Sequence, residues 1–166
     1  MRISEILSSV TSAYDDWSDF LANPQHIRRD NEVAWRNFSP RVLDYPVLKS
    51  DVVRMAEERQ YTFQIVEDGS LIQIHYFYNR KGDQILSANL AFYSAILNGT
   101  ETTNNGDEPV SWLRIDYAPE AARGVLHHDC HMHLSSFPDS RFVVAGLLTP
   151  KQFIELIMAF CYPESY

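Results

Sequence analysis

At 166 residues the chain is long enough for one domain with a full core and rather short for two. Its 45% hydrophobic content, with nine Phe, nine Tyr and three Trp, is that of a folded globule and excludes a disordered regulator. The 22 acids against 14 Lys and Arg give a formal charge of −8, which argues against a stand-alone, non-specific nucleic-acid binder, because such binding needs cations to displace phosphate counterions.

That balance leaves room for a local basic patch, or for a partner that supplies the phosphate affinity. No apolar run approaches the roughly 18 residues of a membrane span, so no membrane partner is expected. The start, Met1-Arg2-Ile3-Ser4-Glu5, opens a helical pattern and lacks the apolar region and cleavage site of a signal peptide. Cys130 and Cys161 are the only cysteines, too few for a disulfide framework and without CxxC spacing. A reduced, cytoplasmic compartment is therefore expected.

Ile3, Ile6, Leu7, Val10, Tyr14, Trp17 and Leu21 recur at helical spacing, with Ser4 available as a cap and Asn23-Pro24 ending the pattern. Between Gln25 and Pro40 the run Arg28-Arg29-Asp30-Asn31 breaks any clean period, which predicts loop with a short helix. Residues 46–60 read as helix again, with Leu48, Val52, Met55 and Ala56 on one face, so residues 1–60 are expected to be mainly helical.

The period then changes to two. Tyr61 to Glu67 predicts a strand, Asp68-Gly69 a hairpin turn, and Ser70 to Asn79 the return strand. Ile72, Ile74, Tyr76 and Tyr78 share one face of it, and Leu71, Gln73, His75 and Phe77 the other. Gln84 to Ala95 follows as a third strand. Asn98 to Pro109 is polar and turn-rich, which predicts a surface loop. Strands resume at Val110 to Tyr117, within Val125 to Ser135, and at Arg141 to Leu147. Thr149-Pro150-Lys151-Gln152 is a helix start, followed by the stripe Phe153, Ile154, Leu156, Ile157 and Phe160 to Pro163. The pattern predicts a single α+β domain over 1–166, with a strongly curved antiparallel sheet of about six strands (residues 61–147). N-terminal helices and a C-terminal helix (149–162) are expected to pack on it.

Four of the six histidines fall within His127-His128-Asp129-Cys130-His131-Met132-His133. A regular strand there projects His127, Asp129, His131 and His133 from one face, with the mostly apolar set Leu126, His128, Cys130, Met132 and Leu134 on the other. In the preceding strand Leu113, Ile115 and Tyr117 oppose Trp112, Arg114 and Asp116. Pairing these strands with their apolar faces inward assembles Arg114, Asp116, His131 and His133 on one surface, and Arg141 joins from the next strand.

Three functional readings compete. His131 and His133 can chelate a divalent metal such as zinc, with Asp116 or Asp129 as a third ligand and a water activated at an open position. The same histidines can move protons without a metal while Arg114 or Arg141 stabilises a phosphate oxygen, which would make the chain a nuclease or related hydrolase. Or the cluster only recognises phosphate or a protein. Against all three stands a structural role, in which the histidines hydrogen-bond to carboxylates and Arg114–Asp116 is a plain ion pair. Cys130 fits a core residue better than a nucleophile. His26 and His75 are isolated in the sequence. Tyr76, Tyr78, Tyr93 and Trp112 offer a weaker base-stacking reading. There is no Walker loop, GxSxG elbow, nucleotide fingerprint or zinc-finger spacing.

The stretches Asp68-Gly69-Ser70-Leu71-Ile72-Gln73, Ala88-Asn89-Leu90-Ala91-Phe92-Tyr93, Leu113-Arg114-Ile115-Asp116-Tyr117, His131-Met132-His133-Leu134 and Pro138-Asp139-Ser140-Arg141-Phe142 resemble an uncharacterised prokaryotic domain-of-unknown-function family. Its members lie beside a helicase gene in two-gene anti-phage defence cassettes. The resemblance runs from about Tyr61 onward and more loosely over the N-terminal helices. It implies a helicase partner, nucleic acid met through that partner, and a bacterial antiviral role. It brings no catalytic mechanism, so the site residues rest on the strand reading alone. The alternative implied role is a non-enzymatic subunit that binds and controls the helicase.

Overall fold

The computed structural model describes residues 1–39, 46–95, 108–121 and 129–164. It opens with α1 (Ile3–Asp16), whose Ile3, Ile6, Val10 and Ala13 are buried at helical spacing. The helix begins one residue before Ser4, and the Glu5 carboxylate, not a serine cap, accepts from the Arg2 N–H at 2.7 Å. Next come β1 (Leu21–Ala22), β2 (His26–Arg29), β3 (Glu32–Trp35) and α2 (Lys49–Glu57). The strands β4 (Phe63–Ile65), β5 (Leu71–Tyr78), β6 (Ile85–Tyr93), β7 (Trp112–Tyr117), β8 (Cys130–Leu134) and β9 (Phe137–Val143) follow, and α3 (Pro150–Cys161) closes the series.

The result is an α+β fold, but the sheet differs from the one the sequence predicts. It has nine strands instead of about six, and it is open, neither curled nor closed: its main path runs β1-β4-β5-β6-β7-β8-β9, with β2 and β3 as a side branch. All its pairings are antiparallel. Two physical causes account for the difference. The segment expected as loop and short helix is a hairpin, with Arg29 paired to Glu32 across the two-residue turn Asp30-Asn31. Its polar residues do not break the strand, because β2 pairs only with β3 and exposes Arg28 and Arg29 at an edge. And the sheet need not curl to bury its apolar face, because α1 and α3 cover it.

Under those helices lie Ile72, Ile74, Tyr76, Leu90 and Ile115 from the sheet, with Phe153, Ile154 and Ile157 from α3. Thr149 caps α3 as its sequence predicts: its Oγ1 accepts from the Gln152 N–H, and its own N–H donates to Gln152 Oε1 at 2.9 Å. The Tyr76 hydroxyl donates to the Leu148 carbonyl at 2.6 Å, tying β5 to the approach of α3. Tyr76 and Tyr78 are fully buried, so they are not base-stacking platforms.

The opposite face is covered only in part. Val52 and Met55 of α2 pack with Leu71, Ala91, Tyr93 and Val110, and buried Gln73 donates to the Gln60 carbonyl at 2.6 Å. Beyond Gln73 this face is polar and open as a cleft. Among the described residues, no helix is long and apolar enough to cross a membrane.

Candidate metal centre

The cleft floor is built by registry. Antiparallel pairing places Asn89 opposite Asp116 and Asp116 opposite His131, and one step along it places Ala91 opposite Arg114 and Arg114 opposite His133. Residues in register share a face. The apolar partners of these residues, Ile115 and Cys130 among them, point into the helix-covered core. Binary patterning thus aims Arg114, Asp116, His131 and His133 at one patch, as the strand reading expects.

Asp116 is the hub. Its Oδ1 accepts from Asn89 Nδ2 at 2.6 Å and its Oδ2 from Arg114 Nε at 2.9 Å. His133 Nε2 stands 3.5 Å and His131 Nε2 4.0 Å from the same Oδ2. The two imidazoles meet edge to face, with ring centroids 4.9 Å apart. One donor atom from each of Asp116, His131 and His133 lies within 4.8 Å of the other two. Around a tetrahedral zinc with bonds of roughly 2.0–2.1 Å, neighbouring donors sit about 3.3 Å apart. The three side chains therefore need only small rotations to close on an ion. Two imidazoles and a carboxylate suit zinc and its first-row neighbours better than magnesium or calcium, which prefer all-oxygen shells. Asn89 and Arg114 fix the carboxylate as outer partners of a metal ligand do.

Two features differ from the sequence expectation. The histidines are not displayed on the outside: His131 is 5% and His133 8% exposed, at the bottom of a cleft of about 390 Å³. And of the two third donors the sequence offers, Asp116 and Asp129, it is Asp116 that lies with both histidines. The strand β8 begins only at Cys130, so Asp129 precedes it; Asp129 is exposed, and its carbonyl accepts from the Ala118 N–H at 2.8 Å. His127 and His128 lie outside the described residues.

Arg141 lines the cleft from β9. Met132 pairs with Phe142 and Leu134 with Phe137, so residues 138–141 stand against His133 alone, a wide bulge that frees Arg141 from the ladder. Burial, then the nearby Arg114, holds the His133 pKa below its ordinary 6.5; His131 and Arg141 lower it further, against an opposing pull from Asp116. That favours the neutral ring that ligation requires. Burial, with Asp116 and Asp129 nearby, pushes the Cys130 thiol up, and its Sγ donates to the Gly146 carbonyl at 3.6 Å. Cys130 is a core thiol.

Sequence reading missed the cleft's other end. His75 and Asn89 also line it, and His75 is in register with Asn89. His75 Nε2 lies 3.2 Å from Glu32 Oε2. The signal was the polar period of β5, which puts His75 on the same face as Gln73.

Burial is the first cause of a lowered pKa in His26 and His75, as in His133. The unfolded chain then binds more protons just below pH 6.5 than the folded one, so stability is full at neutral pH and is lost as pH falls from 6.5 through the folded values. In chelator, the Tm is expected to be lower at pH 5.5 than at pH 7.5. A Tm that is flat across that interval would show the three rings titrating normally.

An open antiparallel sheet with α1 and α3 on one face, and α2 beside a His/His/Asp cleft on the other, defines an α+β protein with a potential metal centre. The family of uncharacterized conserved proteins DUF2290 matches residues 20–166, and the chain belongs to that family. No curated protein and no solved structure matches it.

Proposed function

We propose that the chain is a metal-dependent phosphodiester hydrolase, acting as the effector of a two-gene, helicase-associated anti-phage system. The observation that carries the chemistry is the convergence of Asp116, His131 and His133 within 4.8 Å on a cleft floor walled by Arg114 and Arg141. The helicase partner and the defence role rest on the family resemblance of the sequence. They fit a chain of net charge −8, since the partner supplies the phosphate affinity that the chain as a whole lacks. The reduced interior of a bacterial cell is the compartment this role requires.

In this reading Asp116, His131 and His133 hold the ion. A divalent ion there supplies Lewis acidity and lowers the pKa of a water molecule. Asn89 and the Arg114 Nε fix the Asp116 carboxylate, and burial keeps His133 neutral. Arg114 spends Nε on Asp116 and, among the described residues, keeps its other N–H donors to grip phosphate oxygens; Arg141, which also lines the cleft, would do the same. Hydrolysis would form a bond from the water oxygen to phosphorus and break the ester P–O bond, the attacking water giving one proton to solvent and the departing alkoxide taking one from it.

A second reading is favoured by a different observation. Among the described residues β9 pairs only with β8, and this edge exposes Phe137 (57%), Phe142 (38%) and Val143 (60%). Apolar side chains on an open strand edge suit a protein partner. A non-enzymatic subunit that binds and controls the helicase would act there.

The two readings separate cleanly. An effector purified with its partner is expected to carry about one divalent metal per chain by elemental analysis. His131→Ala and His133→Ala should each abolish phage protection and cut phosphodiester cleavage at least about 100-fold, with the helicase complex intact. Wild-type activity in both variants, with protection lost only when Phe137 and Phe142 become Ser, would establish the regulator instead.

A further inference from the structure

The metal cluster occupies one end of its cleft, and the other end is also built. His75, Asn89, Asp116 and His131 form one row across four strands, each in register with the next. Neighbouring strands lie about 4.8 Å apart, so the His75 backbone is about 10 Å from that of Asp116. His75 is held on two sides: Glu32 of β3 bonds its Nε2 at 3.2 Å, and the Phe38 ring stacks on it with centroids 4.3 Å apart and planes 26° from parallel. A carboxylate and an aromatic ring clamp one imidazole that lines the cleft. This exceeds what a strand residue needs for packing, and it leaves a defined chemistry. A neutral ring that donates from Nε2 to Glu32 has Nδ1 as its lone-pair acceptor. Burial, the largest influence on His75, favours that neutral ring.

We propose that the Glu32–His75 pair is the far wall of the cleft and receives the nucleoside of a nucleotide whose phosphate lies at Asp116, His131 and His133, with His75 Nδ1 accepting a hydrogen bond from a donor on the sugar or base. This rests on the phosphodiester reading above and gives it a substrate class. About 390 Å³ is at the small end of ligand sites, which run to roughly 1,000 Å³. The cleft takes one nucleotide unit of a single strand or a chain end, not a duplex. Glu32 acts through His75 as a positioning residue, and Ser87 and Asn89 line the floor between the two ends.

The test uses adenosine monophosphate, deoxyadenosine monophosphate and inorganic phosphate as probes, with the full chain and its His75→Phe variant, which keeps a ring against Phe38. Calorimetry should show adenosine monophosphate binding weakened about tenfold in the variant, with phosphate binding and zinc uptake unchanged. Loss of this His75 dependence with the deoxy probe assigns the donor to the 2′-hydroxyl of the sugar, and its retention assigns it to the base or the 3′-hydroxyl. In the wild-type chain, adenosine monophosphate should shift the His75 Nδ1 resonance in nitrogen NMR, a readout that does not need the variant to fold. Equal affinity in wild type and a folded, zinc-binding variant overturns the proposal, and so does a phosphate affinity that falls by the same factor. A wild-type chain that takes up no divalent first-row metal defeats the hydrolase reading separately. The Nδ1 shift then decides this inference alone, a shift supporting it and no shift overturning it.

Discussion

Asp116→Asn is expected to leave the folded chain with almost no bound divalent metal, and to eliminate cleavage with it. Four side chains of the cleft converge on it: one carboxylate accepts from Asn89 and Arg114 and lies within 4.0 Å of both ring nitrogens. The amide removes the only negative charge of the candidate donor set and puts an N–H₂ where one of two donors already points. Two consequences follow on different scales. Metal affinity, measured against a competing chelator, should fall well beyond 100-fold, because a first ligand is lost. Asn89→Ala removes only an outer partner and should cost about 10–100-fold. Stability should fall by about 1–3 kcal/mol, the range for losing hydrogen bonds to a charged, half-buried group. Wild-type metal stoichiometry in Asp116→Asn would dispose of the centre.

Phe153→Ala has the largest expected effect on the fold, and it should leave the cleft's chemistry alone. Phe153 is fully buried on α3, among the residues that cover the apolar face of the sheet. Deleting its ring removes transfer free energy and leaves a cavity that a sheet on one side and a helix on the other cannot collapse to fill, at a cost of about 3–5 kcal/mol. Denaturant melts read this directly, as a lower midpoint with an unchanged slope. The metal cluster is on the reverse side of the same sheet, so at low temperature, where the variant remains folded, metal affinity should stay within about twofold of wild type. A proportionate loss of metal would mean that α3 packing sets the donor geometry through the sheet.

The strand pattern carried the site because each strand sorts its residues so sharply. In β7 and β8 nearly every apolar residue falls on one parity, and that alone places Arg114 and Asp116 beside His131 and His133. Exposure was not legible. Alternation tells which face a residue takes, not how deep that face lies, and the rings are recessed because walls from other elements rise around them. The choice between Asp116 and Asp129 stayed open in the sequence because strand limits cannot be read to a residue, and here one residue decides whether a side chain joins the row. The Glu32–His75 end was hidden twice over. Glu32 sits in a hairpin whose charged residues imitate a loop, and its pairing with β5 depends on a fork in which β5 meets β4 near one end and β3 near the other. The register between β5 and β6 also shifts at Phe77/Tyr78, so counting from the turn would have matched His75 to the wrong partner. Strand number and curvature failed for a related reason: the unpredicted strands β1, β2 and β3 have only two to four residues each, too few for a period to show, and no local pattern reports that two helices already shelter the greasy side.

The bulge opposite His133 bears on how such a protein could diversify. Pairs on both sides of it, Met132 with Phe142 and Leu134 with Phe137, pin the ladder while four residues arch between them. Insertions or deletions in that arch would lengthen or shorten the reach of the guanidinium at Arg141 without sliding the imidazoles along their strand. Under the hydrolase reading, descendants of one ancestral chain could in this way exchange one target for another while inheriting an unaltered His/His/Asp floor.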